Sequence, residues 1–257
     1  MASPVLLPTQ ITEGQGPGLR YRIEGELLPA LHLALAQGAP VFFEHHVIMW
    51  KQPTVELQLM RLRDGFKRML AGMPILMTSA SGPGELAFSR DTPGHVFPIH
   101  LSHGSTLLVR EHQFLAASGN LDYSFELVKG VRNMFRGHQG FFVDRFTASQ
   151  GDAVVWLHAY GNAYEVSLAP GEQIDVEPGS WVYREDSVRY EQKLVGFKAG
   201  LIGGGGTLAF NRFTGPGRVG LQSGYFSDFA TDAPAGARRD QAPGGALGGV
   251  LGNILGG

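Results

Sequence analysis

Short segments of alternating apolar and polar residues run along much of the chain. The segments Tyr21–Glu24, Val55–Leu59 and Gln173–Glu177 each alternate with a period of two. Such alternation predicts β-strands that have one buried face and one exposed face. The segments Phe141–Val143 and Ala153–Leu157 are apolar at every position, which predicts strands that are covered on both faces. The pattern therefore favours a fold that consists mainly of β-sheet.

Two segments have the spacing of a helix instead. Apolar residues fall on one helical stripe in Arg61–Ala71 and again in Leu127–Arg136. Each segment ends next to a glycine, Gly72 or Gly137, and glycine readily adopts the left-handed conformation that often follows a helix. We interpret both segments as short helical insertions on an all-β body.

A pattern of turn glycines and apolar strands recurs three times. Gly84, Gly151 and Gly217 lie 67 and 66 positions apart, and apolar strands flank each of them. One unit of about four strands cannot cover its own apolar face, whereas three units around an axis can. The recurrence predicts a closed, pseudo-threefold β structure. Its predicted units are about 20–101, 102–168 and 169–227.

Composition narrows the possible classes of protein. The 257 residues include 37 Gly, 15 Pro and no Cys, and the net charge is −2. The absence of Cys excludes disulfides, Cys-ligated zinc and thiol catalysis. The charge lacks the basic excess that non-specific nucleic-acid binding normally requires. Residues 1–10 lack the features of a secretory signal, and no apolar run approaches the roughly 20 residues of a membrane span, so we expect a cytoplasmic protein.

A longer pattern carries a family resemblance. It combines a basic and apolar run, a turn glycine and a second glycine after the next strand. Its two clearest copies are Lys67–Gly72 with Gly84 and Gly94, and Arg132–Gly137 with Gly151 and Gly161. In this pattern, over about residues 20–224, the chain resembles the altered inheritance of mitochondria 24 family.

The resemblance implies a double-stranded β-helix fold, similar to that of the tryptophan RNA-binding attenuation protein, with three pseudo-equivalent repeats in one chain. It implies no catalytic residue, because the family has no settled activity, although its mitochondrial member is tied to inner-membrane organisation. The first repeat departs from the pattern, since Gly72–Ile75 lacks the two phenylalanines present at Phe141 and Phe142. No residue matches an RNA contact of the attenuation protein, so RNA binding is not implied.

Histidines are the remaining candidates for metal ligands. His95, His100 and His103 are close in sequence, and a double-stranded β-helix raises the question of a cupin-like metal site. On a regular strand, however, His100 and His103 point to opposite faces. We therefore predict no metal ligand, cofactor or catalytic residue. A cupin-like metal or small-molecule binder, or an enzyme that uses these histidines, stays as the alternative.

Four basic residues occupy corresponding places in the first two repeats. They are Lys67, Arg68, Arg132 and Arg136. If the repeats are related by symmetry, these side chains would form a basic rim at one end of the body. Such a rim would attract anions, lipid headgroups or RNA. The rim is a second alternative for the function.

The C-terminal residues differ in composition from the rest. A linker rich in Pro, Gly and Ala leads into a glycine-rich end whose apolar residues fall on one helical stripe. The stripe includes the candidate interaction residues Leu247, Leu251, Ile254 and Leu255. Each interior glycine costs about 1 kcal/mol relative to alanine, so we expect this helix to form only against a partner groove, another subunit or a membrane surface.

These observations lead to one hypothesis for the whole chain. The predicted divisions are an N-terminal extension at 1–19, a three-repeat β domain at 20–227 and a flexible tail at 228–257. We expect a non-enzymatic β scaffold or binding protein that associates with itself or with a protein partner. A membrane surface is a further candidate partner, and nucleic acid is not expected as one.

Overall fold

The computed structural model describes residues 5–6, 12–60, 77–128, 141–197 and 206–224. Within these residues the chain forms 21 β-strands, a 3-10 turn at His45–Val47 and no α-helix. The strands are β1 Val5–Leu6, β2 Thr12–Gly16, β3 Leu19–Glu24, β4 Ala30–Leu35, β5 Pro40–Glu44, β6 Ile48–Lys51, β7 Glu56–Met60, β8 Met77–Ser81, β9 Gly84–Phe88, β10 Gly94–Leu101, β11 Thr106–Arg110, β12 Phe114–Ser118, β13 Asp122–Val128, β14 Phe141–Thr147, β15 Ala153–Tyr160, β16 Ala163–Leu168, β17 Gln173–Val176, β18 Trp181–Glu185, β19 Arg189–Phe197, β20 Gly206–Thr214 and β21 Gly217–Gln222. The all-β prediction is confirmed.

The strands form four antiparallel sheets, here numbered 1 to 4. Sheet 1 has the strand order β2-β3-β4-β9-β6, and sheet 2 has the order β10-β15-β12-β5-β8-β7. Sheet 3 has the order β1-β16-β21-β18-β11-β14-β13, and sheet 4 consists of β17-β20-β19. Sheets 2 and 3 therefore combine strands that are far apart in sequence.

Three apolar cores lie between successive sheets. The first contains side chains of sheets 1 and 2, the second those of sheets 2 and 3, and the third those of sheets 3 and 4. Strand β5 shows how sheet 2 serves two cores, because Phe42 joins the second core while Val41 and Phe43 join the first. Sheets 2 and 3 are thus apolar on both faces, and sheets 1 and 4 are the outer layers.

The burial of individual strands follows from this layering. In β3, Leu19, Tyr21 and Ile23 are buried while Arg20 and Arg22 are exposed, as expected for a strand of an outer sheet. In β15 every residue from Ala153 to Ala159 is buried, as predicted from its continuous apolar sequence. In these two strands the apolar pattern distinguishes an outer strand from an inner one. The alternating segment Val55–Leu59 differs, because β7 ends the inner sheet 2 and exposes Leu57 and Leu59.

The same strand pairings occur in three successive groups, β4–β9, β10–β15 and β16–β21. In each group the sixth strand pairs with the first and third, and the fifth strand pairs with the second and fourth. The pairing of the third and sixth strands shifts register in each group. These shifts fall between Ile48 and Trp50, Phe114 and Ala116, and Trp181 and Tyr183. Two further pairings, β5 with β12 and β11 with β18, join neighbouring groups.

The helical insertion predicted to begin at Leu127 is wrong at its start. Leu127 and Val128 are the last residues of strand β13 and pair with Phe142 and Phe141. The apolar stripe that suggested a helix begins within this strand. Pairing with β14 decides the backbone conformation there. The rest of that segment, the insertion at 61–71 and the tail at 228–257 lie outside the described residues. No helix in the described part of the chain has the length and apolar character to cross a bilayer.

Candidate functional site

Two successive strands expose large apolar side chains. Met49 and Trp50 of β6, and Leu57 and Leu59 of β7, are among the six exposed large apolar residues of the described body. Strand β6 is an edge of sheet 1, and β7 is an edge of sheet 2. Exposed apolar side chains on edge strands make these two strands candidates for a contact surface.

The apolar side chains of the edge strand β7 are exposed, although the side chains opposite them on β8 are buried. Leu57 pairs with Ala80, and Leu59 pairs with Thr78, across the β7–β8 hairpin. Opposite residues of an antiparallel pair point to the same face of the sheet. Both β8 residues are buried, whereas both leucines are exposed, so the covered face of sheet 2 ends one strand before the sheet does.

Trp50 also borders an open groove on the outer face of sheet 1. The groove has a volume of about 650 Å³, and charged side chains contribute much of its lining. Arg22 Nη2 lies 2.6 Å from Glu24 Oε2, and His32 Nε2 lies 3.3 Å from Glu24 Oε1. The His32 ring lies 6.0 Å from the Trp50 ring. The side chains of Arg22 and His32 are thus both paired with Glu24, so the groove presents a polar surface.

An ion pair involves β17, the strand at one edge of sheet 4. Arg212 donates two hydrogen bonds of 2.6 Å to the carboxylate of Asp175 in β17. The hydrogen bond from Arg212 holds the pKa of Asp175 below its ordinary value. Asp175 is therefore a fixed negative charge on the strand that ends sheet 4.

A buried polar cluster lies where β12 and β15 meet the loop after β9. Arg90 Nη2 lies 3.0 Å from Glu44 Oε2 and donates a hydrogen bond of 2.5 Å to the carbonyl of Phe114. His158 is almost fully buried, and its Nε2 donates a hydrogen bond of 3.1 Å to the carbonyl of Thr92. Burial, helped by the positive charge of Arg90, lowers the pKa of His158 to about 4.

The three histidines considered as metal ligands have separate partners. His95 Nδ1 accepts a hydrogen bond of 3.1 Å from the amide of Ala163, and burial lowers the pKa of His95. His100 Nε2 lies 3.0 Å from the hydroxyl of Tyr21, and His103 Nε2 lies 3.3 Å from the carbonyl of Ser149. Across the described residues, no group of three or more His, Asp or Glu side chains has an arrangement that could hold a metal ion.

The predicted interaction residues all lie outside the described part of the chain. They are Lys67, Arg68, Arg132, Arg136, Leu247, Leu251, Ile254 and Leu255. Sequence reasoning also missed the exposed strand β6. Its signal was present, because Ile48, Met49 and Trp50 form a continuous apolar run like those of the doubly covered strands.

The fold and the site together define an all-β protein of layered antiparallel sheets, with large apolar side chains exposed on the edge strands β6 and β7. The family described as Mitochondrial biogenesis AIM24 matches residues 21–224. The chain belongs to this family, which confirms the resemblance found in its sequence.

Two proteins from Streptococcus pyogenes are similar to this chain. The uncharacterized protein M6_Spy0233 of serotype M6 is 24% identical over 226 residues, covering 82% of this chain and 88% of the relative. The crystal structure of protein SPYM3_0169 has a TM-score of 0.63 and 20% identity, covering 83% of this chain and 97% of the other. At that identity the likeness concerns the fold alone.

Proposed function

We propose that this protein is a non-enzymatic β scaffold that assembles with further protein chains, copies of itself included. One observation carries the proposal, namely the exposed apolar side chains on β6 and β7, two strands that are consecutive in sequence and each end a sheet. Leaving such side chains in water costs free energy, at roughly 25 cal/mol for each Å² of apolar surface that a partner could cover. Assembly would remove this cost.

The proposed scaffold is a double-stranded β-helix-like body of three copies of one six-strand module. The recurring pairings and the recurring register shifts support this arrangement. So do the backbone bonds from the amides of Gly38, Gly104 and Gly171 to the carbonyls of residues 82, 148 and 215. Both series advance by 66 and then 67 positions. The modules would then be the strand groups β4–β9, β10–β15 and β16–β21, which places their boundaries differently from the predicted units.

Sedimentation velocity over a wide range of protein concentration tests the assembly. We expect species heavier than the 27.7 kDa chain. The predicted role of the tail is tested in the full chain with Leu251→Asp and Leu255→Asp, with Asn253→Asp as the matched control. A lower mass in the leucine variants alone would assign assembly to the tail. A chain that sediments as a monomer at every concentration would contradict self-assembly.

A second candidate function is anion binding through the basic rim. The segments 61–76, 129–140 and 198–205 contain eight of the 21 Lys and Arg residues but one of the 23 Asp and Glu residues. Each segment connects the fourth and fifth strands of one group. The strand pairs that flank them are Met60 with Met77, Val128 with Phe141, and Phe197 with Gly206. The basic segments thus occupy matching positions in the sequence of the three groups.

Retention on phosphocellulose tests this second candidate. We expect the Arg132→Ala, Arg136→Ala double variant to elute at lower salt than the wild type, because fewer positive charges contact the phosphate groups. The control is Arg189→Ala with Lys193→Ala, which removes the same charge from strand β19. Equal elution of the rim variant and the control would reject a specific role for the rim.

A further inference from the structure

Strands β6 and β17 each have one edge without a partner among the described strands. Strand β6 pairs with β9, and β17 pairs with β20. They are the third strand of the first group and the second strand of the last group. Strands in these two positions pair wherever neighbouring groups meet, as β12 does with β5 and β18 with β11. The remaining pairing of this kind, between β6 and β17, does not occur among the described strands of the chain.

The side chains of β6 are far more exposed than the side chains at the same positions of β12 and β18. Met49 is 55% exposed and Trp50 is 41% exposed. The residues at the same positions of β12 and β18 are Leu115 with Ala116 and Val182 with Tyr183, all 0% exposed. Strands β12 and β18 lie inside sheets 2 and 3, which are covered on both faces and continue beyond these strands, whereas β6 is the last strand of an outer sheet. The apolar residues of β6 therefore resemble those of covered strands, although the described part of the chain leaves them exposed.

The two existing junctions define the register that the missing one would have. They pair Ala116 with Phe43, Ala117 with Phe42, Tyr183 with Val109, and Arg184 with Leu108. We shift the residue numbers of these pairs along the sequence by the spacing that relates the three groups. The missing junction then places Trp50 opposite Val176 and Lys51 opposite Asp175. An apolar pair and a pair of opposite charges would thus face each other, and both kinds of cross-strand pair are favourable.

The two free edges belong to the two outer layers of the protein. Sheet 1 contributes to the first core and sheet 4 to the third, and the two sheets share no core. A second copy of the chain presents both edges with the required strand direction, length and charge. It is therefore the partner that fits this surface.

We propose that β17 of one copy pairs antiparallel with β6 of a second copy, with Lys51 opposite Asp175. Sheet 4 of one copy and sheet 1 of the next then form a continuous eight-stranded sheet. The contact is heterologous, since two different edges meet, so repetition produces a closed ring or an open fibre. This inference rests on the proposed scaffold function and specifies its partner and its surface.

Charge reversal in the full-length chain tests the register. Lys51→Asp places two carboxylates opposite each other, and Asp175→Lys places two ammonium groups there. We expect each variant to raise the dissociation constant of the assembly about tenfold, which corresponds to about 1.4 kcal/mol. The double variant Lys51→Asp, Asp175→Lys restores opposite charges at every junction and should return the constant to within about twofold of the wild type.

Arg20→Asp is the matched control for Lys51→Asp, because Arg20 is exposed on β3 of the same sheet 1, three strands away from β6. Lys51→Asp is the cleaner of the two single variants, since the Lys51 ammonium donates a long hydrogen bond of 3.4 Å to the Gln52 carbonyl next to it. Asp175→Lys also removes the pair with Arg212, so thermal unfolding of that variant must be measured as well.

Sedimentation velocity gives outcomes that separate the two proposals. Weakened assembly in Lys51→Asp, rescue in the double variant and no effect of Arg20→Asp support the junction. Assembly that persists unchanged in Lys51→Asp overturns the junction and leaves the scaffold function standing. Failure of the double variant to reassemble while it remains folded also overturns the register. A wild type that is monomeric throughout overturns the junction and the self-assembly of the scaffold, and leaves assembly with a different protein chain to be tested separately.

Discussion

Acidification should destabilise this protein through His158. The ring is buried, and its Nε2 donates to the carbonyl of Thr92. Burial favours the neutral form and the nearby guanidinium of Arg90 opposes a second positive charge, and together they outweigh the hydrogen bond to Thr92, which favours the charged form. The pKa of His158 falls from an ordinary value of 6.5 to about 4. The replacement His158→Gln keeps an N–H donor for Thr92 and removes the titration.

The magnitude follows from proton linkage. Because the folded pKa is the lower one, the unfolded chain binds a proton more readily, and stability falls as the pH drops below 6.5. The loss stops once the pH is below about 4, the folded pKa. Between pH 7.5 and pH 5 this histidine should remove about 2 kcal/mol from the free energy of unfolding, and about 3 kcal/mol at the acid limit.

Urea unfolding followed by tryptophan fluorescence at pH 7.5 and pH 5.0 measures the effect. Carboxylates also titrate on acidification, so the quantity of interest is the difference between the wild type and His158→Gln. We expect the variant to lose about 2 kcal/mol less than the wild type between the two pH values. Ser118→Ala, at a buried residue that carries no titratable group, is the control and should lose as much as the wild type. Identical losses in the wild type and His158→Gln would refute the argument.

Two further predictions concern the modules and a buried phenol. Gly84 and Gly217 have φ of +141° and +132°, and an added Cβ would lie 2.9 Å from Val55 at the first and 2.7 Å from Val188 at the second. Each Gly→Ala change should therefore lower the free energy of unfolding by about 1–3 kcal/mol. Clearly unequal losses in urea unfolding would argue against equivalent modules. Burial raises the pKa of Tyr190 to about 12; in a titration followed at 295 nm, Tyr190→Phe should match the wild type up to about pH 11 and differ only above it, and an earlier difference would show that the phenol is accessible.

The local patterns of the sequence predicted much of the fold. Alternation in Tyr21–Glu24 and in Gln173–Glu177 indicated strands of outer sheets, and the continuous apolar run of Ala153–Leu157 indicated a strand between two sheets. These inferences succeeded because side chains of a strand alternate between two faces whatever its neighbours are. The same local reasoning failed at Leu127, where an apolar stripe suggested a helix and the hairpin with β14 forms a strand.

The sequence by itself determined that this chain is an all-β member of its family with regularly spaced turns. The tertiary structure alone decided which strands are neighbours, which edges of β6 and β17 lack a partner among the described strands, and how burial lowers the pKa of His158. Backbone N–H and C=O groups are the same in every strand, so no local pattern specifies a partner strand. Only the packing of distant side chains into common cores selects the pairs, and the strands left at the two ends of the layered body keep a free edge.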